Sequence, residues 1–208
     1  MCEESGPVSE RLRAEFGDID IYLFDQLLRG RLDRRRRVLD AGCGDGRNLV
    51  YLLEHGFTCF GVDADAEAVE RVRRLARRRV ASLPPEQFQV APIERLPWGD
   101  SSMDAVIASA VLHFARDENH FARMVEELWR VLAPGGLLFA RLASNIGLEA
   151  RVPEAGRRVR LPDGTERFVV NEAMLLEWTD RLGGRLADPI KTTNVQQERC
   201  MTTWCLVK

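Results

Sequence analysis

The stretch Val38-Leu39-Asp40-Ala41-Gly42-Cys43-Gly44-Asp45-Gly46-Arg47-Asn48 leads from an apolar segment directly into three glycines at alternate positions. The apolar segment predicts a buried strand, and the residues after the glycines predict the start of a helix. Alternate glycines let the backbone turn tightly and approach a ligand, while a helix N-terminus offers unpaired N–H groups to polar or anionic atoms. The stretch therefore predicts a loop that holds a nucleotide cofactor.

The spacing of the glycines argues against a dinucleotide. A dinucleotide fingerprint counted from Gly42 needs glycine or alanine at position 47, where helix and strand pack beneath a pyrophosphate. Arg47 occupies that position. A nicotinamide-dependent oxidoreductase is therefore the least favoured enzyme class, and a glycine-rich turn without a ligand is disfavoured by the segments that follow.

Three later segments extend the pattern. Asp63 ends a second apolar strand about twenty positions beyond the loop, where a carboxylate can accept both hydroxyls of a ribose. The run from Arg95 to Ser109 reads as a turn that leads into a further buried strand. The run from Trp129 to Ala140 reads as the end of a helix, a turn and another strand.

Together these segments resemble the class I S-adenosylmethionine-dependent methyltransferases, from about Val38 to the C-terminus. The likeness rests on the D-x-G-x-G-x-G loop, Asp63, the L-P-x-x-D-x-S-x-D-x-V segment and the L-x-P-G-G turn. It implies S-adenosylmethionine as the cofactor and leaves the methyl acceptor open. The G-x-G-x-G-R-N loop and the compact size are also similar to bacterial tellurite-resistance methyltransferases, which methylate chalcogen oxyanions or thiol-like acceptors.

Strand and helix patterns alternate along the chain. This alternation predicts an α/β fold, a doubly wound Rossmann-like and mostly parallel sheet with helices on both faces. Strands are expected near 36–41, 57–62, 86–91, 103–109 and 136–142, and helices near 46–55, 65–80, 118–132 and 172–183. Two final strands, near 185–192 and 199–207, are too close together for a helix between them and predict an antiparallel pair. The resemblance implies seven strands, the last one antiparallel.

Composition predicts a single methyltransferase domain over 1–208. The 208 residues, 45% of them hydrophobic, can bury a sizeable core and leave little for a second domain. Within the domain we expect an N-terminal helical cover (1–35), a cofactor-binding core (36–143), a substrate-side loop (144–170) and a C-terminal helix with a strand pair (171–208). In the cover, Asp18 is expected to cap an amphipathic helix with Ile19, Leu23 and Leu27 on one side.

Charge and cysteine content indicate the compartment of the protein and the kinds of ligand it binds. The acidic start and the lack of an apolar run near twenty residues predict a cytoplasmic protein without signal peptide or membrane span. The five cysteines are scattered without a C-x-x-C pair, which favours reduced thiols and no metal site. A net charge of -2 gives no general attraction to nucleic acid. The arginine cluster at 34–37 is expected at the N-terminal edge of a strand, and the cluster at 71–79 on a solvated face of a helix.

The family likeness also implies which residues bind the cofactor. Gly42 and Gly44 with the surrounding backbone would hold the methionine part, and Asp40 would support the loop and meet the amino group. Pro92 stands where related sequences often carry an acidic residue for the adenine amino group, so adenine is expected to contact the Ile93 backbone or Glu94. The expected cofactor-binding residues are Asp40, Ala41, Gly42, Cys43, Gly44, Arg47, Asn48, Asp63, Ala64, Ile93, Glu94 and Ser109.

Candidate acceptor-binding residues follow the carboxyl ends of the predicted strands, where ligands of open α/β sheets bind. Arg141 emerges from an apolar strand and needs an anionic partner, either a substrate or a local carboxylate. His113 is a candidate general base, with packing against the next helix as the alternative. Tyr22 of the N-terminal helix faces the acceptor or packs on the sheet. These three are the candidate catalytic residues.

The expected reaction is methyl transfer by in-line displacement to a small-molecule acceptor. A sulfonium methyl carbon is already electrophilic, so the protein must mainly position the nucleophile and exclude water. A small acceptor is favoured because the sequence shows no added nucleic-acid-binding domain. The alternatives are an RNA or protein methyltransferase and a non-catalytic S-adenosylmethionine-binding module.

Overall fold

The computed structural model describes residues 7–34, 36–80, 82–152 and 157–208. The first half of the chain forms α1 (Val8–Phe16), α2 (Ile21–Leu28), β1 (Arg37–Ala41), α3 (Val50–Glu54), β2 (Thr58–Asp63), α4 (Ala66–Arg77), β3 (Phe88–Val90), β4 (Met103–Ser109), α5 (Glu118–Val131) and β5 (Leu132–Ser144). The second half forms β6 (Arg158–Arg160), β7 (Glu166–Phe168), α6 (Glu172–Arg181), β8 (Arg185–Leu186), β9 (Lys191–Val195) and β10 (Arg199–Val207). Short 3₁₀ helices lie at Pro85–Gln87 and Leu112–Phe114.

Eight of the ten strands in the described residues form one mostly parallel sheet, as the sequence predicts, and β6 and β7 form a separate antiparallel pair. Seven strands lie in the order β3-β2-β1-β4-β5-β10-β8, and β9 pairs with β10 beside β8. The five strands from β3 to β5 are parallel to one another, whereas β10 runs antiparallel to all of its neighbours. The expected reversal of the last strand is therefore confirmed.

The strand expected near 185–192 is instead divided into β8 and β9. Pro189 lies between them and has no N–H to donate to a strand ladder, so pairing with β10 stops and resumes at Lys191. The strand expected near 136–142 is longer than predicted, because β5 spans Leu132–Ser144 and its last residues continue to pair with β10.

The core occupies both faces of the sheet. One hydrophobic cluster joins the sheet to α5 and α6 through residues such as Phe121 and Trp178. The other joins it to α2, α3 and α4 through residues such as Leu23 and Val72. Because β1 is covered on both sides, Val38 and Leu39 are both fully buried although they point to opposite faces.

The N-terminal cover differs from the prediction in its capping residue. Helix α2 begins at Ile21, and Asp20 caps it by accepting a hydrogen bond from the Tyr22 N–H at 2.9 Å. Asp18 is exposed and lies 3.7 Å from the Arg13 guanidinium. The expected cap was therefore two residues too early, because both aspartates are acceptable caps and only tertiary contacts distinguish them.

The helix expected near 46–55 is also shorter than predicted. Regular helix is confined to Val50–Glu54, and the preceding residues form turns after Gly46, whose φ is 80°. A positive φ is incompatible with a right-handed helix, so helical geometry starts only after the glycine loop has closed.

Cys43, Cys59, Cys200 and Cys205 are buried free thiols, and Cys2 lies outside the described residues. In the four described ranges, no helix is long and apolar enough to cross a membrane.

Candidate active site

Two adjoining cavities lie at the carboxyl ends of the parallel strands. The first has a volume of about 360 Å³ and the second about 260 Å³, and we name them the cofactor cavity and the acceptor cavity after the ligands that the sequence predicts. The cofactor cavity is lined by Gly42, Asp63, Ala64, Ala91, Pro92, Ile93, Glu94, Ala110, Val111, Phe114, Arg116, His120 and Met124. The acceptor cavity is lined by Ala110, His113, Arg141, Ala143, Leu161, Asp163, Thr165, Arg167, Val195, Arg199, Cys200 and Met201. Ala110 belongs to both linings.

The glycine loop forms one wall of the cofactor cavity. The N–H groups of Gly42 and Cys43 both donate to the carbonyl of Val62, at 2.8 and 2.9 Å, which ties the loop to β2. Gly42 has a φ of 76° and Gly44 a φ of 51°, so both adopt the left-handed conformation that glycine tolerates best. The loop thus presents backbone rather than side chains to the cavity.

The glycines have different neighbours. A Cβ on Gly42 would lie 2.5 Å from a methyl group of Val111, and one on Gly46 would lie 2.6 Å from a methyl group of Val72 in α4. A Cβ on Gly44 would meet nothing within 4 Å. Gly46 therefore allows close packing of the loop against α4, whereas Gly42 lines the cavity itself.

Asp40 lies beneath the loop as a buried carboxylate, 1% exposed. Among the described residues, neither of its carboxylate oxygens has a hydrogen-bond partner. Burial raises the pKa of Asp40 to about 7, and the nearby Arg47 and Asn48 only partly oppose this effect. A positively charged donor such as an ammonium group is the kind of ligand that satisfies these oxygens.

Asp63 is placed at the cavity wall with both oxygens oriented by the backbone. Its Oδ2 accepts from the Gly44 N–H and its Oδ1 from the Asp65 N–H, each at 3.0 Å. A carboxylate has about four acceptor positions, so each oxygen retains capacity for a ligand hydroxyl. The geometry suits a vicinal diol, as the sequence predicts for a ribose.

The far end of the cofactor cavity is formed by the segment after β3. Pro92, Ile93 and Glu94 all line it. Two neighbouring side chains position Glu94: its Oε1 lies 3.0 Å from Nε2 of His120 and 3.7 Å from Nη2 of Arg116. The expectation that Ile93 and Glu94 border the adenine site is therefore compatible with their placement.

The N-terminal cover is attached to the site through Asp20. This side chain is almost fully buried, and its Oδ2 accepts from Ser109 Oγ at 3.0 Å and from Arg141 Nη1 at 3.3 Å. Nη2 of Arg47 lies 3.8 Å from the same oxygen. The Asp20 N–H in turn donates to Asn48 Oδ1 at 3.1 Å. Arg47, Asn48 and Ser109, which the sequence predicts at the cofactor, contact Asp20 and are not among the residues that line the cofactor cavity.

Arg141 and Tyr22 contact each other. The guanidinium carbon of Arg141 lies 5.2 Å from the centre of the Tyr22 ring, and the Tyr22 hydroxyl is hydrogen-bonded to Thr193 Oγ1. Of the two partners expected for Arg141, the structure shows the local carboxylate, Asp20. The Nε of Arg141 is nonetheless buried and has no hydrogen-bond partner within the described residues.

His113 lines the acceptor cavity with a largely buried ring. Burial, together with the positive charges of Arg167 and Arg141, lowers the pKa of His113 to about 4. The imidazole is therefore neutral at physiological pH and only a weak base. Cys200 lines the same cavity, and burial raises the pKa of its thiol.

Some acceptor-side residues were not identified from the sequence. Arg167, Asp163 and Thr165 come from the β6–β7 hairpin, which lies within the segment expected as a substrate-side loop. Phe114, Arg116 and His120 follow β4 and line the cofactor cavity, and they too were not predicted. No local motif marks these residues, and the hairpin residues reach the site because the hairpin packs against β5 and the 3₁₀ helix at Leu112–Phe114.

Sequence comparisons show that the chain is similar to known methyltransferases. A family model described as a methyltransferase domain matches residues 39–140. An uncharacterized methyltransferase of Mycobacterium tuberculosis is 32% identical over 158 residues, covering 71% of this chain and 59% of that protein. A malonyl-[acyl-carrier protein] O-methyltransferase of Enterobacter lignolyticus is 32% identical over 150 residues, covering 71% of this chain and 55% of that protein. The chain thus spans less than two thirds of the length of these curated relatives.

A solved structure extends the similarity to the whole chain. The magnesium protoporphyrin IX methyltransferase of Synechocystis PCC 6803 with bound S-adenosylhomocysteine matches with a TM-score of 0.68 and 18% identity, covering 100% of this chain and 90% of that chain. At this identity the match shows the fold alone. Taken with the sequence relatives, the comparisons confirm the fold, the family and the family's cofactor that the sequence predicts.

Proposed function

Since the chain belongs to the class I S-adenosylmethionine-dependent methyltransferases, we propose that it transfers the methyl group of this cofactor to a small-molecule acceptor by in-line displacement. The observation that carries the proposal is the pair of adjoining cavities, which share Ala110 in their linings. The second cavity, about 260 Å³, suits a small molecule or a small protruding group. A nucleophile held there faces the end of the cofactor cavity at Ala110.

The residues of the cofactor cavity fit S-adenosylmethionine. Asp40 lies beneath the glycine loop and outside the cavity lining, and its oxygens, which lack a hydrogen-bond partner among the described residues, would accept from the ammonium group. Asp63 would accept from the two ribose hydroxyls. Ile93 and Glu94 would border the adenine, with Met124 and Phe114 as apolar walls.

The protein contributes mainly positioning. When bound, S-adenosylmethionine supplies an electrophilic methyl carbon and a neutral thioether leaving group. Ala110 is in the left-handed conformation, with a φ of 60°, and its N–H donates to the Arg141 carbonyl at 2.7 Å. This turn fixes the boundary between the cavities and so fixes the direction from which an acceptor approaches. Correct alignment alone can contribute several kcal/mol, on the order of 7–11, to lowering the barrier.

The test is methyl transfer from methyl-labelled S-adenosylmethionine into fractionated cell extract. We expect label in the low-molecular-weight fraction and none above background in RNA or protein. Label in RNA or protein instead would support a macromolecular acceptor. Binding of S-adenosylhomocysteine without label in any fraction would support a non-catalytic binding module. Either result would contradict the proposal.

A further inference from the structure

The acceptor cavity carries more positive than negative charge. Three guanidinium groups line it, those of Arg141, Arg167 and Arg199, and among its described lining residues Asp163 contributes the one carboxylate. The arginines belong to β5, β7 and β10, so the fold brings together cations that are far apart in the sequence. An occupant of this cavity meets a surplus of positive charge.

The contacts of Arg167 and Arg199 leave donors for a ligand. Arg199 Nη1 lies 3.8 Å from Asp163 Oδ2, which is too long for a hydrogen bond. Arg167 donates one hydrogen bond to the Glu166 carbonyl, and its guanidinium carbon lies 4.9 Å from the centre of the Phe114 ring. A guanidinium has five N–H donors, so both groups can still bind a planar anion through two parallel hydrogen bonds.

Arg141 extends this surplus toward the cofactor cavity. Its local partner Asp20 is shared with Arg47, so one buried carboxylate faces two guanidinium groups. Arg141 also keeps a buried Nε without a hydrogen-bond partner among the described residues. Buried polar groups are normally hydrogen-bonded, so an unpaired guanidinium N–H next to the cavity points to an anionic ligand atom.

The groups of the acceptor cavity that could accept a proton, His113, Cys200 and Asp163, are poor general bases, since a hydrogen bond from Thr165 lowers the pKa of Asp163. His113 stays neutral because burial and two arginines lower its pKa to about 4, and burial keeps the Cys200 thiol protonated by raising its pKa. Proton removal from an alcohol or an ammonium group would need a stronger base. A nucleophile that arrives already ionised needs none.

We propose that the acceptor is a carboxylate, bound by Arg167 and Arg199 and methylated on one of its oxygens. The inference rests on the proposed function and names the substrate class of the same site. The oxygen–carbon bond forms as the carbon–sulfur bond breaks, and the electron pair of the broken bond stays on sulfur. The carboxylate and sulfonium charges cancel, no proton is transferred, and the products are a methyl ester and a neutral thioether.

The geometry also accounts for product release. A methyl ester has no charge, so it loses the electrostatic attraction that three arginines exert on the carboxylate. The cavity therefore distinguishes substrate from product by charge. A neutral amide of the same shape should bind as weakly as the ester.

The experiment uses the full chain, methyl-labelled S-adenosylmethionine and two acceptor sets. The first set pairs three acids with their amides: benzoate with benzamide, phenylacetate with phenylacetamide, and succinate with succinamide. The second set is deproteinised cell extract. We expect label in acids rather than amides, and we expect mild alkali to release the label from the extract products as methanol.

Variants test the arginines separately from the cofactor. Replacing both side chains, Arg167→Gln with Arg199→Gln, should lower kcat/KM for the labelled acceptor about tenfold or more, because charge-assisted hydrogen bonds are lost. Binding of S-adenosylhomocysteine should be unchanged. The matched control is Arg123→Gln, an exposed arginine on α5, which should behave like the wild type. Thermal unfolding of each variant checks that the fold is retained.

The outcomes separate the two proposals. Alkali-stable label, equal labelling of amides and acids, or a double variant as active as the Arg123→Gln control would overturn the carboxylate inference and leave methyl transfer intact. Absence of label in every acceptor, with S-adenosylhomocysteine still bound, would overturn the proposed function and with it the inference.

Discussion

The cofactor cavity and the acceptor cavity meet at Ala110 but are built in opposite ways. Five of the thirteen residues that line the cofactor cavity are glycine, alanine or proline, with Gly42, Ala64 and Pro92 as examples. The wall of the acceptor cavity carries long charged side chains from separate segments, with Arg141, Arg167 and Arg199 as examples. A backbone wall fixes one ligand shape closely, whereas side chains can be exchanged without altering the sheet. This contrast explains how one fold retains its cofactor while the acceptor differs.

The largest effect should come from filling the cofactor cavity at its glycine loop. In Gly42→Val, the new Cβ would lie 2.5 Å from a methyl group of Val111, in a backbone conformation with a φ of 76°. Strain and overpacking together should lower the free energy of unfolding by about 3–5 kcal/mol. We also expect no measurable binding of S-adenosylhomocysteine by calorimetry.

The matched control for this substitution is Gly44→Ala. Its Cβ would meet nothing within 4 Å, and the cost should be limited to the positive φ, about 1 kcal/mol. Denaturant unfolding of both variants measures the difference. Equal destabilisation of the two variants would show that the positive φ, and not the contact with Val111, determines the loss in the free energy of unfolding.

The second largest effect should appear where the N-terminal cover joins both cavities. Asp20→Asn keeps an acceptor for the Tyr22 N–H but removes the charge that faces Arg47 and Arg141. Because the Asp20 side chain is 2% exposed while that of Arg47 is 44% exposed, we expect a loss of about 2–3 kcal/mol in the free energy of unfolding. Asp18→Asn, at an exposed position, should cost less than about 0.5 kcal/mol. Similar losses in the two variants would show that Asp20 is not the residue that joins the N-terminal cover to the cavities.

A smaller effect, confined to the cofactor, is expected at the ribose position. Asp63→Ala should weaken binding of S-adenosylhomocysteine by roughly 1–3 kcal/mol, because hydrogen bonds to the ribose and to the Gly44 N–H are lost. Calorimetry measures the change, with Asp100→Asn as an exposed control far from the loop. An unchanged affinity would remove Asp63 from the cofactor site.

The last effect is a pH dependence at Asp40. Burial raises its pKa to about 7 in the free protein, and an ammonium partner favours the ionised form. Binding below about pH 7 must therefore release a proton, so affinity for S-adenosylhomocysteine should rise by at most about tenfold per pH unit up to pH 7 and then level off. Calorimetric titrations from about pH 5.5 to 8.5 measure this slope.

The raised pKa of Asp40 has the opposite effect on the stability of the free protein, which falls with pH where the affinity rises. The folded state holds a proton on Asp40 that the unfolded chain releases above about pH 4, so stability should fall as pH rises from about 4 to about 7. Asp40→Asn removes the titration and should flatten both profiles. A wild-type binding slope that persists in Asp40→Asn would assign the proton to another group.

The contrast between the cavities also explains what the sequence could predict. The cofactor loop, Asp63 and the order of the core strands follow from local patterns, since consecutive residues form each turn and strand. Arg167 and Asp163 could not be found this way, because the hairpin acquires its role only by packing against β5 and the 3₁₀ helix at Leu112–Phe114. The cap of α2 was misplaced for the same reason, since the side-chain contacts of Asp20 with Ser109 and Arg141 distinguish it from Asp18.

The central claim is that the glycine loop and Asp63 bind S-adenosylmethionine and not a dinucleotide. Calorimetric titration of the wild-type chain with S-adenosylhomocysteine, with NAD as the control ligand, tests it most directly. We predict one site of about micromolar affinity, close to -8 kcal/mol, for S-adenosylhomocysteine and no heat of binding for NAD. Binding of NAD, or of neither ligand, would contradict the claim.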